Sequence, residues 1–160
     1  MSASIRPGAA MAAAILSVAM APAANAAPPD DACSLLSQSQ LSAALNATVG
    51  AGSYVTPTYK KTCIWNSAGD GTKGAKNVTL MLEGVDAFRA GKQTRQMKAS
   101  SVTPASGIGD EAYYLAVGGN VGLIVKKGNV AFKIAVYGSL PVDKKQALEK
   151  ALAEHVVSKL

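Results

Sequence analysis

The chain has 160 residues, with sixteen Lys or Arg against ten Asp or Glu, a net charge of +6 and one histidine. A single histidine excludes multi-histidine metal centres and His-Glu-x-x-His zinc chemistry. Lysines dispersed along the chain without interleaved aromatics exclude a nucleic-acid interface and read as a solubilising surface.

The first eight residues carry Arg6 and no acid, and an apolar stretch from Ala9 to Ala21 follows, interrupted only by Ser17. Pro22 and a run of small residues come next, and Ala24-Asn25-Ala26 fits the small-x-small cleavage pattern. This is the layout of a secretory signal cut after Ala26. A membrane span needs about 20 apolar residues, and no segment of the chain supplies them. Asp30-Asp31-Ala32 before Cys33 is wrong for lipid attachment, so the expectation is free export to the periplasm or the extracellular space. Residues 27–32 read as a flexible lead-in, and 33–160 as a single domain with a thinly packed core, since aromatics make up only 5% of the chain.

Cys33 and Cys63 are the only cysteines. In an oxidising destination they predict one intramolecular disulfide. A redox pair would show Cys-x-x-Cys spacing beside a helix start, which is absent, and two thiols with His155 fall short of the four ligands of a structural zinc site.

Asp30 and Asp31 are placed to cap a first helix running through Cys33, Leu35, Leu36, Leu41, Ala44 and Leu45. Ser37, Ser39 and Ser42 leave two short pieces as open as one. Tyr54–Thr58 reads as an edge strand because of Pro57. Thr62–Asn66 places Cys63 and Trp65 on one side and Ile64 on the other, and Asn77–Glu83 turns Val78, Leu80 and Leu82 inward. Ser67 to Lys76, without a large apolar residue, predicts an exposed loop. A helix is expected over 85–98, with Ala87, Ala90, Thr94 and Met97 as its apolar stripe and Arg89, Lys92, Gln93 and Gln96 opposite. From Ser101 the pattern is β again. Glu111–Val117, Val121–Lys126 and Val130–Tyr137 form a meander, its turns at Gly118-Gly119-Asn120 and Lys127-Gly128-Asn129 using Gly and Asn for positive backbone angles. Pro141 and Asp143 open a last helix with Leu148, Leu152, Val156 and Leu160 along one side. The sum is an α+β fold: an antiparallel sheet of about six strands ending in a meander, with two or three helices on one face.

The stretches "ACSLL…LSAAL", "CIW" and "GIGDEAYY" with the amphipathic C-terminal helix resemble small bacterial exported domains, many of them lipoproteins, grouped as domains of unknown function. The resemblance implies that Cys33 pairs with Cys63 of the Cys-x-Trp strand that holds Trp65. It also implies that Gly107, Gly109, Asp110, Ala112 and Tyr113 form a turn leading into the meander. It implies a fold and no activity, and the missing lipid-attachment cysteine departs from the pattern.

The residues offer no catalytic set. Gly-x-Ser-x-Gly and Ser-x-x-Lys are absent. Asp110 and Glu111 are neighbours pointing to opposite sides of a strand, while Glu83 and Asp86 flank a helix start where charge or capping explains them. Gly107-Ile108-Gly109-Asp110 leads into a strand, so it reads as a tight turn and not as a phosphate loop. The stretch from Asn66 to Gly71 mimics a calcium loop but has Ala68 at a ligand position and Asn77 where the closing Glu belongs. Trp65 reads as packing on the disulfide, His155 as a partly buried structural residue, and Tyr113 and Tyr114 as facing opposite sides of their strand. The expectation is a non-enzymatic exported monomer, without cofactor or metal, that binds a protein or an anionic envelope component. Candidate contacts are the loop residues Lys73 and Lys76 and the helix side Arg89, Lys92 and Gln96. The alternatives are an inhibitor of a wall-degrading hydrolase and, behind it, a carboxylate-dependent enzyme.

Overall fold

The computed structural model describes residues 28–68, 74–97 and 101–160; the signal segment, Lys73, most of the 69–76 loop and Lys98 lie outside the described residues. In chain order come a 3-10 turn at Ala32–Ser34, α1 (Gln38–Leu45), β1 (Ser53–Thr56), β2 (Tyr59–Asn66), β3 (Asn77–Gly84), α2 (Val85–Met97), β4 (Ser101–Ala105), β5 (Glu111–Val117), β6 (Asn120–Lys127), β7 (Val130–Tyr137) and α3 (Val142–Val157).

The first helical region is two pieces. Asp31 accepts the Cys33 N–H to start the 3-10 turn. Ser37 and Gln40 then form a reciprocal capping box that starts α1 afresh, satisfying N–H groups that a continuous helix would have paired internally.

All seven strands join one antiparallel sheet in the order β1-β2-β3-β7-β6-β5-β4. It consists of two meanders, β1–β3 and β4–β7, fused where β3 lies along β7 from Asn77↔Tyr137 to Gly84↔Val130. β1, with Pro57 in the turn that follows, is an edge, as its sequence indicates. In the meander turns the positive angles fall on Gly118, Gly119 and Gly128; Asn120 and Asn129 do not share them.

Strand alternation gives the sheet two faces. The first carries Cys63, Trp65, Val78, Leu80, Leu82, Leu123, Val125, Phe132, Ile134 and Val136, all buried in the main core. The 3-10 turn, α1 and α3 pack on this face, and the Cys33–Cys63 disulfide, with Cα atoms 5.1 Å apart, ties the turn to β2. Trp65 packs beside that disulfide, and the chain at Gly52 runs so close that a Cβ there would lie 2.6 Å from the indole nitrogen. The second face receives α2, through a smaller cluster of Phe88, Tyr113, Leu115, Ile124 and Ala131.

Four expectations need correction. In α2 the buried anchor is Phe88, 1% exposed and in ring contact with Tyr113, while Ala87 and Ala90 are exposed. One aromatic ring removes more apolar area from water than two methyl groups, so it sets the helix rotation. In α3 Leu152 and Val156 are buried but Leu148 and Leu160 only partly, and the buried side continues through Glu149 and Lys145. His155 is exposed. Ser67, assigned to an exposed loop, is buried because the β2–β3 neck continues past β2, with its N–H and hydroxyl bonded to the Lys76 carbonyl.

The disulfide closes a loop of 30 residues. A Cys33→Ser/Cys63→Ser variant should lose roughly 3–4 kcal/mol of unfolding free energy, read from urea denaturation; an unchanged midpoint would contradict this role.

Candidate functional site

The ladder between β6 and β7 runs from Lys127↔Val130 to Leu123↔Ile134 and stops, although β6 begins at Asn120 and β7 continues to Tyr137. The two strands therefore part at this end, and the Val136 N–H has no carbonyl from β6. It donates instead to Glu149 Oε1 of α3 at 3.0 Å. Glu149 is 0% exposed, and its Oε2 has no hydrogen-bond partner among the described residues. Burial raises its pKa from 4.5 to about 8, opposed by the Val136 N–H and by the charges of Lys145 on α3 and Lys133 on β7. Nearby on β5, Tyr114 donates its hydroxyl to the Gln146 carbonyl at 3.2 Å, and its pKa is raised by burial and by Glu149.

On the second face of the sheet the same parting opens a cavity of about 230 Å³, walled by Leu115, Val117, Asn120, Val121, Gly122, Lys133 and Tyr137. A smaller depression of about 70 Å³, formed with Thr79, Met81 and Ala135, shares Lys133 and Tyr137 with it. α2 leaves β3 at Gly84 and its described contacts lie over the Ala131 and Ile124 end of the face; Val117, 61% exposed, stands at the cavity rim. Gly122 leaves the room: a Cβ there would lie 3.0 Å from Lys133 Cε and 3.5 Å from the Ala135 Cβ. Lys133 is half-buried across this gap and has no ion pair or hydrogen bond among the described residues.

The residues singled out in sequence fall elsewhere. Lys92 pairs with Glu111 of β5, and Lys76 donates to the Leu45 carbonyl at 3.0 Å, so both serve internal contacts. Arg89 is exposed, 3.8 Å from Asp86. Gln96 lies in α2 and Lys73 lies outside the described residues. Lys76 and Lys92 thus turn to separate internal partners.

Gly107-Ile108-Gly109-Asp110 is a structural clasp. Gly109 adopts φ +59°, where a Cβ would lie 2.6 Å from the Lys126 carbonyl oxygen. Asp110 accepts the Gly128 N–H at 2.7 Å and the Lys127 ammonium at 3.2 Å, and these contacts, the Gly128 bond first, lower its pKa. Glu83 and Glu111 do not converge either. They share a row across β3, β7, β6 and β5, three strand spacings or roughly 14 Å apart. That exceeds the separation of a glycosidase pair. Among the described residues no three His, Cys, Asp or Glu side chains gather as metal ligands would, and no described helix is long and apolar enough to cross a membrane.

Comparison with protein-family models, with characterised proteins and with solved structures gives no match.

The Glu149 carboxyl sets a pH dependence. Its pKa is higher folded than unfolded, so its contribution to stability is complete below about 4.5 and is lost as pH rises to about 8. Denaturation between these pH values should show stability falling with pH by a few kcal/mol. In Glu149→Gln, which keeps an acceptor for Val136, this slope should flatten; an unaltered slope would refute the assignment.

Proposed function

We propose that this chain is an exported, non-enzymatic binding domain whose ligand seats where β6 and β7 part on the second face of the sheet. The observation that carries the reading is a cavity that combines apolar side chains (Leu115, Val117, Val121) with polar ones, among them one lysine without an ion pair to any described acid. Ligand sites are typically concave and apolar with a few placed polar groups, and Lys133, Tyr137 and Asn120 supply those groups here.

The non-enzymatic reading is supported by how the carboxylates are used. Asp110 holds a turn, Glu111 holds Lys92, and Glu149 takes a backbone N–H from within the core, so none faces the cavity beside a nucleophile. Export and kinship with exported domains of unknown function belong to the same proposal, and the signal-like start and the short motifs support them. Lys76 and Lys92 are already engaged, with the Leu45 carbonyl and with Glu111, which moves the proposed contact surface from the basic helix side to the open sheet face.

The test is native mass spectrometry, with cross-linking, of protein taken from its exported fraction. The wild type should carry a reproducible bound species that Gly122→Val, which fills the cavity, reduces at least several-fold, whereas Arg89→Ala leaves it in place. A species retained equally by Gly122→Val, or none at native abundance, would overturn the reading.

A further inference from the structure

We propose that the cavity takes a small amphiphilic anion: a carboxylate head on the Lys133 ammonium and a short hydrocarbon body against Leu115, Val117 and Gly122. This rests on the binding reading above and names the chemistry of its ligand.

The head follows from charge. Among the described residues, Lys133 is the one charged side chain in the walls of either depression. The nearby lysines of the meander, Lys126 and Lys127, are engaged with Asp110, and Lys92 of α2 with Glu111. Lys133 has no such acid among the described residues. Glu149, reached from α3 on the other side of β7, forms no ion pair with it, and burial raises the Glu149 pKa. A half-buried, unpaired ammonium favours an anion that brings its own charge into a partly dry site, where a charge-assisted hydrogen bond outweighs a neutral one. Tyr137, which lines both depressions, carries a hydroxyl that can donate to the same head.

The body follows from the floor. Leu115, Val117 and Val121 give apolar wall, and Gly122 gives depth, since any side chain there would meet Lys133 and Ala135. Met81, Thr79 and Ala135 extend the floor toward β3. About 230 Å³ admits a short alkyl chain or a single ring and excludes a folded partner. A free inorganic anion would leave the apolar floor in water, and a neutral hydrocarbon would leave Lys133 unpaired.

The experiment is isothermal titration of the purified protein at pH 7 and low salt with two probes of one chain length, sodium octanoate and octan-1-ol. Octanoate should bind the wild type about tenfold or more tightly than octan-1-ol. Lys133→Met, which keeps the length of the side chain, should remove that preference and leave octan-1-ol unchanged. Gly122→Val should weaken both probes, and circular dichroism should confirm that each variant is folded. Equal binding of the two probes, or octanoate affinity untouched by Lys133→Met, would overturn the anionic assignment. No binding of either probe would overturn the ligand class. In each of these cases a native bound species sensitive to Gly122→Val would still uphold the binding reading, so the two failures are distinguishable.

Discussion

The ladder between β3 and β7 is the contact on which the rest of the molecule depends. Within each meander the paired strands are sequence neighbours, but β3 and β7 meet across about fifty residues of chain, and eight residue pairs close that distance. Without this seam there are two small sheets, each with one poorly covered face. With it, Val78, Leu80 and Leu82 continue the apolar row of Val136, Ile134 and Phe132. Helical pieces from both ends of the chain then pack on a common face. Lys159 reaches the Ser34 carbonyl and Lys76 the Leu45 carbonyl, and the disulfide fixes the N-terminal turn over β2.

The cavity has a local origin. β7 follows β3 along its whole length, but its ladder with β6 stops at Ile134. A buried N–H left by the parting must find an acceptor or cost the energy of an unmade hydrogen bond. Glu149 supplies the acceptor from α3, at the cost of burying a carboxyl, which burial keeps protonated near neutral pH. On the opposite face the parting, together with the bare Gly122, opens space beside Lys133. One local feature of strand pairing thus produces both the buried acid in the core and the open site on the surface.

Much of the fold can be read from the residues because the relevant signals are local. Alternation in the Cys63–Trp65 and Val78–Leu82 stretches orients two strands, and the glycine turns mark the meander. Two cysteines in one chain leave one intramolecular pairing. The Ser37–Gln40 box ends one helical piece and starts the next. What escapes the sequence is set by distant neighbours. The rotation of α2 depends on Phe88 finding Tyr113, where the faint Ala87–Ala90 stripe points elsewhere. Glu149 looks like a surface acid on an amphipathic helix until the end of the β6–β7 register shows which N–H needs it. Lys133, one lysine on a strand among many in a basic chain, gains meaning only from the glycine and the gap beside it. Lys76 and Lys92 look free in sequence because their partners, a helix-end carbonyl and Glu111, are brought to them by the sheet.

The measurement that bears most directly on this account is native-state hydrogen exchange, resolved along the strands. If the β3–β7 seam makes one cooperative sheet, amides in β2, β3, β6 and β7 should share one opening free energy equal to that of global unfolding. Amides of β6 before Leu123 that point toward β7 should exchange sooner, while those of β7 beyond Ile134 stay protected by β3 and, at Val136, by Glu149. A β1–β3 meander that opens as a separate, weaker unit while β5–β7 stays protected would contradict it.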